Sequence, residues 1–398
     1  MRILILYDKP IHDASEASGV TLRELAEFLT HFNNEVFAIS MGKQNDYYTK
    51  NFEELCIKSK NSAKKAILIS TFGNISLKLF HKPIFYYRDI LEKIERFGPN
   101  LIITHGLASL SVDFASFLAY YKLSHPDVKI IAITDDVRQI EEYIKIKQNL
   151  LLYNKRLPSS FTSFIIKVYG IAVKQIAYGM YDTMVKNFDG ILFFTREDLS
   201  YAVKRYHEYK RKFFIFRRPV KADKNDSHRY ILRNKLNMAL FVGNCRHLPN
   251  VEAMHNIFDI ADKVNDVNFI ITGAECAKGR HKNINVVGFV NNLNALYLKA
   301  DVFIAPLKSG SGMKMKLLEC FRYGIPIIGT SIAFEGYPVR DNIHCIIEDD
   351  IKKYPKIINR LKADYQLRKR LSENSKEILE YFSYKEANVV WQNIIKSI

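Results

Sequence analysis

The sequence is poor in the features that mark secreted, membrane-spanning and disulfide-bonded proteins. It has five cysteines and no C-x-x-C pair, a pattern typical of free thiols in a reducing cytoplasm. They are Cys56, Cys245, Cys276, Cys320 and Cys345. Because no run of 18 apolar residues occurs, we predict no membrane-spanning helix. Met1–Tyr7 is largely apolar but meets Asp8 at once, which predicts an N-terminal strand and not a signal peptide.

Carboxylates in a metal-binding arrangement are also missing. There is no D-x-D motif, and the sequence offers only the acidic run Glu348-Asp349-Asp350 in its place. Since hard divalent cations prefer several carboxylate oxygens, we predict no metal site and no bound cofactor. The absence of internal repeats and of low-complexity tracts excludes solenoid and disordered classes.

Acidic residues are outnumbered by basic ones. The 59 Lys and Arg against 42 Asp and Glu give a formal charge of +17, which favours an anionic partner. Seven basic residues and one acid lie between Lys145 and Lys186, interleaved with aromatic side chains, and a second basic cluster spans Lys204–Arg218. This pattern fits a helix lying on an anionic membrane surface, where each Lys or Arg adds about 1 kcal/mol. A core helix with solvated lysines is the alternative, and nucleic acid is not expected because no binding module is recognisable.

The length and the order of the predicted elements indicate two α/β domains. At 398 residues the chain exceeds one ordinary core, and its 48% apolar composition can fill two. Apolar runs typical of strands alternate with amphipathic helices in both halves, which predicts a mostly parallel sheet in each. Hydrophobicity falls and charge rises from Arg217 to Ser227, which indicates a linker. We therefore place the domains at 1–218 and 219–382.

In the first domain, polar residues follow two predicted strands at their carboxyl ends. His105 follows the strand 101–104, and Asp135 and Asp136 follow the strand 128–134. Ligands of parallel sheets bind at this edge, so these side chains are candidate site residues. A structural histidine and a carboxylate that caps a helix are the alternatives.

The stretch Asp301–Gly336 carries the strongest signal in the second domain. The apolar run Val302–Ala305 predicts a buried strand, and the apolar spacing from Met313 to Tyr323 predicts a helix. Between them, Gly310 and Gly312 permit positive φ and a close backbone approach. Such a unit directs backbone N–H groups and the positive end of a helix dipole toward one point. The sequence therefore predicts an anion pocket.

Charged side chains accompany this pocket. Lys314 and Lys316 fall in the first turn of the predicted helix, where the dipole disfavours a cation by about 0.3–1 kcal/mol unless an anion binds. Glu319, further along the helix, can accept hydrogen bonds from vicinal sugar hydroxyls. A tight strand-to-helix turn with two solvated lysines is the alternative.

As a block, this stretch resembles the donor-binding core of GT-B glycosyltransferases, in particular the retaining family 4 group. The shared pattern is a proline, a Gly-x-Gly loop, a basic helix start, a glutamate, a Gly-x-Pro and a trailing Glu-Gly. Here it consists of Pro306, Gly310, Gly312, Lys314, Lys316, Glu319, Gly324, Pro326 and Glu335-Gly336. The family also has a glutamate at the position that Ser311 occupies in this chain.

The resemblance implies further residues that bind a nucleotide-sugar donor. A strand, glycine turn and helix over residues 238–264 match a family loop in which Arg246 would meet the donor diphosphate. A second basic residue of the family is missing, and Pro249-Asn250 stands there instead. Residues 286–290 resemble the segment that meets the nucleotide base. The implied donor-binding set is Gly243, Gly288, Phe289, Val290, Gly310, Ser311, Gly312, Met313, Lys314 and Glu319.

On the acceptor side the resemblance implies Ser18 and Gly19, in the loop after the first strand, together with His105. In the family a histidine commonly ends the strand that here runs into Asp135. The implied catalytic residues are Asp135, Arg246 and Lys316. Residues 383–398 resemble a tail that crosses back onto the first domain.

What the resemblance implies about fold and activity can be stated together. The fold would be α/β with GT-B architecture, two Rossmann-like domains facing a cleft. The activity would be metal-independent, retaining hexosyl transfer from a nucleotide sugar to a hydroxyl of a glycan, lipid-linked or protein acceptor, in cytoplasmic assembly of surface polysaccharide or glycoconjugates. Two alternatives stay open: a sugar-nucleotide epimerase, which would need acid–base carboxylates and histidines, and a non-catalytic partner subunit of the same fold.

Overall fold

The structure is a computed structural model of the 398-residue chain. It describes residues 1–7, 11, 17–42, 46–48, 52–58, 88–105, 114–134, 138, 178–221 and 233–398. The chain divides into two compact units. The first comprises Met1–Lys221 and Ala387–Ile398, and the second comprises Ala222–Glu386.

The first unit is built on a sheet to which the described residues contribute eight strands. The strands are β1 (Arg2–Tyr7), β2 (Glu35–Gly42), β3 (Asp46–Tyr48), β4 (Glu53–Lys58), β5 (Leu101–His105), β6 (Lys129–Thr134), β7 (Gly190–Phe193) and β8 (Phe213–Ile215). The helices are α1 (Ala17–His31), α2 (Arg88–Phe97), α3 (Phe114–Ser124), α4 (178–187) and α5 (Arg196–Arg205), with a 3-10 helix at His207–Lys212. The strand order is β3-β4-β2-β1-β5-β6-β7-β8, and every neighbouring pair is parallel except β3 with β4.

The central strand β1 shows why continuous apolar runs in the sequence predict the strands of this sheet. Residues 3–6 of β1 are fully buried, since β1 pairs with β2 on one side and β5 on the other. A central parallel strand is covered on both faces, so it needs apolar side chains at every position. The predicted mostly parallel sheet is confirmed. His105 pairs in register with Ile133, so β5 and β6 end at the same edge.

The second unit contains a seven-stranded sheet within residues 233–398. The strands are β9 (Met238–Val242), β10 (Asn268–Thr272), β11 (Gly279–His281), β12 (Ile284–Gly288), β13 (Val302–Ala305), β14 (Ile327–Gly329) and β15 (Ile346–Ile347). The helices are α6 (Leu248–Ala261), α7 (Asn294–Lys299), α8 (Met315–Tyr323), α9 (Tyr354–Ala363) and α10 (Tyr365–Tyr381), with 3-10 helices at Ser331–Phe334 and Ile351–Lys353. A further helix, α11 (Tyr384–Ser397), begins in this unit, and its residues from Ala387 onward belong to the first unit. The strand order is β11-β12-β10-β9-β13-β14-β15, with only the β11–β12 pair antiparallel.

The end of α11 packs into the first unit's core. Its Trp391 is 1% exposed and lies edge-on to Phe216, with ring centroids 5.7 Å apart. The side chain of Ile398 lies close to Gly190 at the start of β7, where an added Cβ would be 3.5 Å from it. Trp391 is among the largest fully buried side chains of the described residues, so its ring adds a large apolar area to this core.

Two helices begin at positions other than those predicted. Helix α1 begins at Ala17, so Ser18 and Gly19 lie in its first turn rather than in the preceding loop. Helix α8 begins at Met315, and Lys314 is its N-cap residue with extended backbone angles, φ −85° and ψ 93°. Apolar periodicity marks the buried face of a helix but not its first residue, because contacts outside the helix satisfy the N–H groups of the first turn.

Three predictions, on a membrane-spanning helix, a metal site and a membrane-surface helix, can be examined only in the residues that the structure describes. Within that part of the chain, no helix combines the length and apolarity needed to cross a bilayer. Nor do its His, Cys, Asp and Glu side chains gather in threes that could hold a metal ion. The basic stretch Lys145–Lys186 lies outside the described residues except for 178–186, so its predicted membrane-surface helix stays a prediction.

Candidate functional site

The second unit brings two loops together at the carboxyl edge of its sheet. We call residues 243–247, after β9, the first loop and residues 306–314, after β13, the glycine loop. Strands β9 and β13 are hydrogen-bonded neighbours, so the loops that follow them lie side by side. This edge is where parallel α/β sheets bind ligands.

Helix α6 holds the glycine loop in place. Ser309 Oγ donates a hydrogen bond to Glu252 Oε2 at 2.8 Å, and Asn256 Nδ2 donates to the carbonyl oxygen of Pro306 at 2.9 Å. The side chain of Pro249 lies 3.6 Å from where a Cβ on Gly310 would be. Three contacts therefore fix the loop between β13 and α8 against a rigid helix.

The two glycines of the loop adopt backbone angles that other residues avoid. Gly310 has φ +113° and Gly312 has φ +69°, so the predicted need for positive φ is confirmed. A side chain at either position would add strain whatever space surrounds it. Ser311, between them, is only 9% exposed.

Lys314 is turned back into the glycine loop. Its Nζ donates to the carbonyl oxygen of Gly312 at 2.8 Å and lies 3.4 Å from Glu335 Oε2, and the two side chains are 9% and 11% exposed. Tyr337 Oη donates to the carbonyl oxygen of Lys314 at 2.8 Å. A nearby carboxylate thus offsets the charge of Lys314, which identifies this residue as a brace for the loop.

Lys316, two residues further on, has a different environment. Its Nζ donates to Asn250 Oδ1 at 2.7 Å and lies 4.4 Å from the centroid of the Phe241 ring. No carboxylate pairs with it in the part of the chain that the structure describes. Burial of the ammonium group, followed by the nearby charge of Lys314, lowers the pKa of Lys316 to about 7. An anion placed beside this group would reverse that effect.

Arg246 projects from the first loop and is 70% exposed. Its guanidinium donates to Glu275 Oε1 at 2.8 Å, and Glu275 is itself 56% exposed. An ion pair this exposed is worth about 0–1 kcal/mol, so it does not prevent Arg246 from turning to a bound anion. Arg246 thus lies in the loop after β9, and Lys316 lies in the helix that follows the loop after the neighbouring strand β13.

The first loop is also tied to the loop after β10 by a covalent bond. Cys245 and Cys276 form a disulfide, with their Cα atoms 5.1 Å apart. The prediction that all five cysteines are free thiols is therefore wrong for this pair and correct for Cys56, Cys320 and Cys345, which are buried. The reason is topological, because 31 residues separate the two cysteines but β9 and β10 are adjacent strands.

The remaining predicted donor-site residues occupy the same edge or its flank. Gly288 ends β12, and its carbonyl oxygen accepts from Thr272 Oγ1 at 2.7 Å. Phe289 follows and is 67% exposed, an unusual position for a large apolar ring. Val290 is half-buried. Glu319, in the second turn of α8, is 37% exposed and contacts Arg322 Nη1 at 3.0 Å.

Residues predicted for the acceptor side belong to the first unit. His105 ends β5, and its ring lies edge-on to Tyr7, with centroids 5.8 Å apart. Gly19 is buried in the first turn of α1, next to Ser18. Asp135 lies outside the described residues, so its predicted role stays a prediction.

Sequence reasoning missed the part played by Asn250. We noted this position only as one where a basic residue was lacking, yet its amide holds the ammonium group of Lys316. It also missed Glu252, which anchors Ser309. Both face the glycine loop from the first turn and a half of α6, a relationship that pairing of β9 with β13 creates and that sequence spacing does not reveal.

Taken together, the edge offers an enclosed ammonium group, an exposed guanidinium, a glycine-rich backbone and the N-terminal end of the nine-residue helix α8. Each of these stabilises negative charge, and together they suit a ligand with two linked anionic groups.

Comparison with known proteins agrees with this chemistry. Residues 237–364 match the family described as "Glycosyl transferases group 1". The matched residues lie within the second unit. No curated protein matches the sequence of the chain.

Solved structures similar to the whole chain are glycosyltransferases of the GT-B fold. Sucrose-phosphate synthase from Thermosynechococcus elongatus has a TM-score of 0.65 at 11% identity, covering 100% of this chain and 98% of its own. Anabaena HepE in complex with UDP has a TM-score of 0.63 at 11% identity, with 100% of both chains covered. WaaG, a glycosyltransferase involved in lipopolysaccharide biosynthesis, has a TM-score of 0.61 at 12% identity, covering 98% of this chain and 99% of its own.

These likenesses identify the fold as GT-B, and the predicted fold class and the resemblance to group 1 glycosyltransferases are confirmed.

Proposed function

We propose that the protein transfers a hexose, with retention of configuration and without a metal ion, from a nucleoside-diphosphate sugar bound at the edge formed by the first loop and the glycine loop. The observation that carries this proposal is Lys316, an enclosed ammonium group with a neutral hydrogen-bond partner. Burying a cation without a carboxylate is costly, and a diphosphate beside it would supply the missing charge.

The roles of the site residues follow from what breaks in the reaction. When the bond between sugar and diphosphate breaks, negative charge grows on the leaving oxygen, and preorganised cations and N–H groups stabilise that charge most strongly. Lys316 and Arg246 would supply the cations, and the backbone of Gly310, Ser311 and Gly312 the N–H groups. This arrangement replaces the charge neutralisation that a metal ion provides in other enzymes.

Glu319 and the segment after β12 would hold the nucleoside. A carboxylate in the second turn of α8 can accept hydrogen bonds from the two ribose hydroxyls, at a gain of about 1.5–3 kcal/mol for hydrogen bonds to a charged group. To do so Glu319 must exchange its contact with Arg322, which at 3.0 Å on a partly exposed surface costs little to break. Phe289 and Val290 would line the base, with Phe289 offering an exposed aromatic face.

The first unit would bind the acceptor through residues at the carboxyl edge of its sheet, among them His105. The acceptor proposed is a hydroxyl of a glycan, a lipid-linked sugar or a protein, in assembly of surface polysaccharide or glycoconjugates. Asp135 directly follows β6 in the sequence and is the residue we propose for orienting the sugar or the acceptor. The basic surplus of +17 is proposed to hold the protein on the cytoplasmic face of an anionic membrane.

Donor binding is tested by thermal unfolding in the presence of UDP-, GDP-, ADP- and CMP-sugars. A ligand at 100 times its dissociation constant stabilises the protein by about 2.7 kcal/mol, which shifts the unfolding midpoint measurably. The sugar that stabilises the protein is then offered with sugar and lipid acceptors, and the product anomer is read by NMR. No stabilisation by any of the four nucleotide classes would overturn the proposal, and binding without donor hydrolysis or transfer would identify a non-catalytic subunit.

Membrane attachment has its own test. Sedimentation with anionic and with neutral vesicles is expected to show binding only to the anionic ones, weakening as salt rises. Equal binding to both kinds of vesicle, or to neither, would rule out attachment to anionic membranes and leave the proposed enzyme activity unaffected.

A further inference from the structure

Asn250 uses both ends of its side chain within the candidate site. Its Nδ2 donates to the carbonyl oxygen of Asn244 in the first loop at 2.9 Å, and its Oδ1 accepts from Lys316 Nζ at 2.7 Å. The chemistry of the partners sets the orientation, because a carbonyl needs a donor and an ammonium group needs an acceptor. The amide therefore joins the first loop to the cation that begins helix α8.

The amide of Asn250 packs closely against the backbone of Gly243. A Cβ on Gly243 would lie 2.8 Å from Asn250 Cγ and 2.9 Å from its Oδ1, closer than real side chains approach. The backbone N–H of Asn250 also donates to the carbonyl oxygen of His247 at 3.0 Å. A glycine at 243 is therefore required for Asn250 to reach the ammonium group.

A comparison of the two lysines shows why an amide matters. Lys314 faces the carboxylate of Glu335, which offsets its charge. Lys316 instead donates to an amide oxygen, which accepts the same kind of hydrogen bond but carries no formal charge. The site thus separates a lysine whose charge is offset and which braces the loop from one whose charge no carboxylate of the described residues offsets.

We propose that Asn250 is a positioning residue that fixes the ammonium group of Lys316 for the donor diphosphate while leaving its charge uncompensated. This inference rests on the proposed function, since it assigns the diphosphate as the ligand. It also explains why this chain has an asparagine where the resembled family has a basic residue. A basic side chain at position 250 would repel Lys316, whereas the amide of Asn250 accepts a hydrogen bond from it, so Lys316 supplies the cation at this point.

The test compares Asn250→Asp with Asn283→Asp. Asn250→Asp keeps an oxygen facing Lys316 but adds the negative charge that Asn250 withholds, and it removes the hydrogen bond to Asn244. The control makes the same chemical change elsewhere in the unit, since Asn283 Nδ2 donates to the carbonyl oxygens of Val264 and Val267 at 2.7 and 2.8 Å. Both variants lose amide-to-carbonyl hydrogen bonds, so both are expected to unfold at a lower temperature.

Binding of UDP and of inorganic pyrophosphate is measured by calorimetry from pH 6 to pH 9, and the titration of Lys316 in the ligand-free protein by its rate of acylation. Asn250→Asp is expected to weaken binding of both ligands about tenfold at pH 7 and to move the Lys316 titration upward by about one pH unit or more. Asn283→Asp is expected to match the parent protein in both readouts.

The outcomes separate this inference from the proposed function. If Asn250→Asp leaves both the titration of Lys316 and the affinities unchanged, Asn250 has no positioning role, although UDP binding by the parent protein would still support a nucleotide-sugar enzyme. If the parent protein binds neither pyrophosphate nor any of UDP, GDP and ADP, the proposed function fails and so does the assignment of the diphosphate. Lys316 acylation then still shows whether Asn250 holds the ammonium group.

Discussion

Lys314 Nζ lies 3.4 Å from Glu335 Oε2, and the two side chains are about nine-tenths buried. The pair joins the N-cap of α8, at the end of the glycine loop, to the residue after the 3-10 helix Ser331–Phe334. The Glu-Gly that follows the family motif thus has a physical role in this chain, since its carboxylate lets a lysine be buried beside the loop.

Glu335→Gln is expected to leave Lys314 buried without its carboxylate. Removing one partner of a buried pair costs about 3 kcal/mol or more, since the remaining charge stays desolvated. The midpoint of the second unit's urea transition should fall accordingly. Glu373→Gln, which breaks the exposed pair with Lys369 on α10, should change stability by less than about 0.5 kcal/mol. Equal effects of the two variants would contradict a buried pair.

Lys316→Met is expected to act in opposite directions on stability and on function. Methionine fills a similar volume without a charge, so the ligand-free protein should be at least as stable as the parent. Donor affinity should fall, and turnover should fall by about a hundredfold or more, because the cation acts most strongly on the leaving group. Thermal unfolding and single-turnover transfer measure the two effects. Normal turnover would remove Lys316 from the chemistry.

The pH dependence of stability is expected to reveal the same lysine. The pKa of Lys316 is about 7 in the folded protein and near its ordinary value of 10.5 in the unfolded chain. Between these values the unfolded state binds more protons, so this group makes stability rise as pH increases from about 7 toward 10.5 and lowers it as pH falls. Subtracting the pH profile of the unfolding free energy of Lys316→Met from that of the parent protein isolates the contribution of Lys316. A difference that is flat with pH would show that the ammonium group is solvated.

A ligand that carries negative charge should reverse the shift. Bound UDP raises the pKa of Lys316 by pairing with its charge, so binding above pH 7 should take up a proton and weaken as pH rises. Calorimetry in two buffers of different ionisation enthalpy measures the uptake. Binding that takes up no proton at pH 8 would place the diphosphate away from Lys316.

Arg246→Ala is expected to reduce turnover by roughly a hundredfold while donor affinity falls less, for the reason given for Lys316. Arg280→Ala is the matched control, because Arg280 lies exposed on the edge strand β11 and carries the same charge. Both variants lower the net charge equally, so a loss confined to Arg246→Ala separates a local role from long-range attraction. Similar kinetics of both variants would leave Arg246 as a surface residue paired with Glu275.

The disulfide predicts how the cysteines react. Denatured protein that has not been reduced should show three alkylated cysteines by mass spectrometry, namely Cys56, Cys320 and Cys345, and reduced protein should show five. Closing a loop of this length stabilises the fold by about 3–4 kcal/mol in the chain-entropy description, so Cys245→Ser with Cys276→Ser should lower the unfolding midpoint. Five alkylated cysteines without reductant would show that the pair is a dithiol in the purified protein.

The sequence by itself determined the elements and the residue types of the site. Fully apolar, β-favouring runs such as 302–305 indicate strands buried on both faces, and glycine at 310 and 312 permits the positive φ that the loop adopts. The order of these elements also restricted the chain to parallel α/β sheets. All of this is local information, which residue chemistry and spacing encode directly.

Only the tertiary structure decided which partners these residues meet. Lys314 and Lys316 are two positions apart and look alike in sequence, yet one faces Glu335 and the other Asn250, 21 and 66 residues away along the chain. Cys245 and Cys276 are likewise joined because β9 and β10 are adjacent. The order of the strands in the sheet brings such residues together. No local sequence pattern determines that order, because the free energy that favours it is summed over the packing of the whole core. The sequence shows which side chains can carry a charge. The neighbours that the fold places beside each one determine its pKa and whether an opposite charge pairs with it.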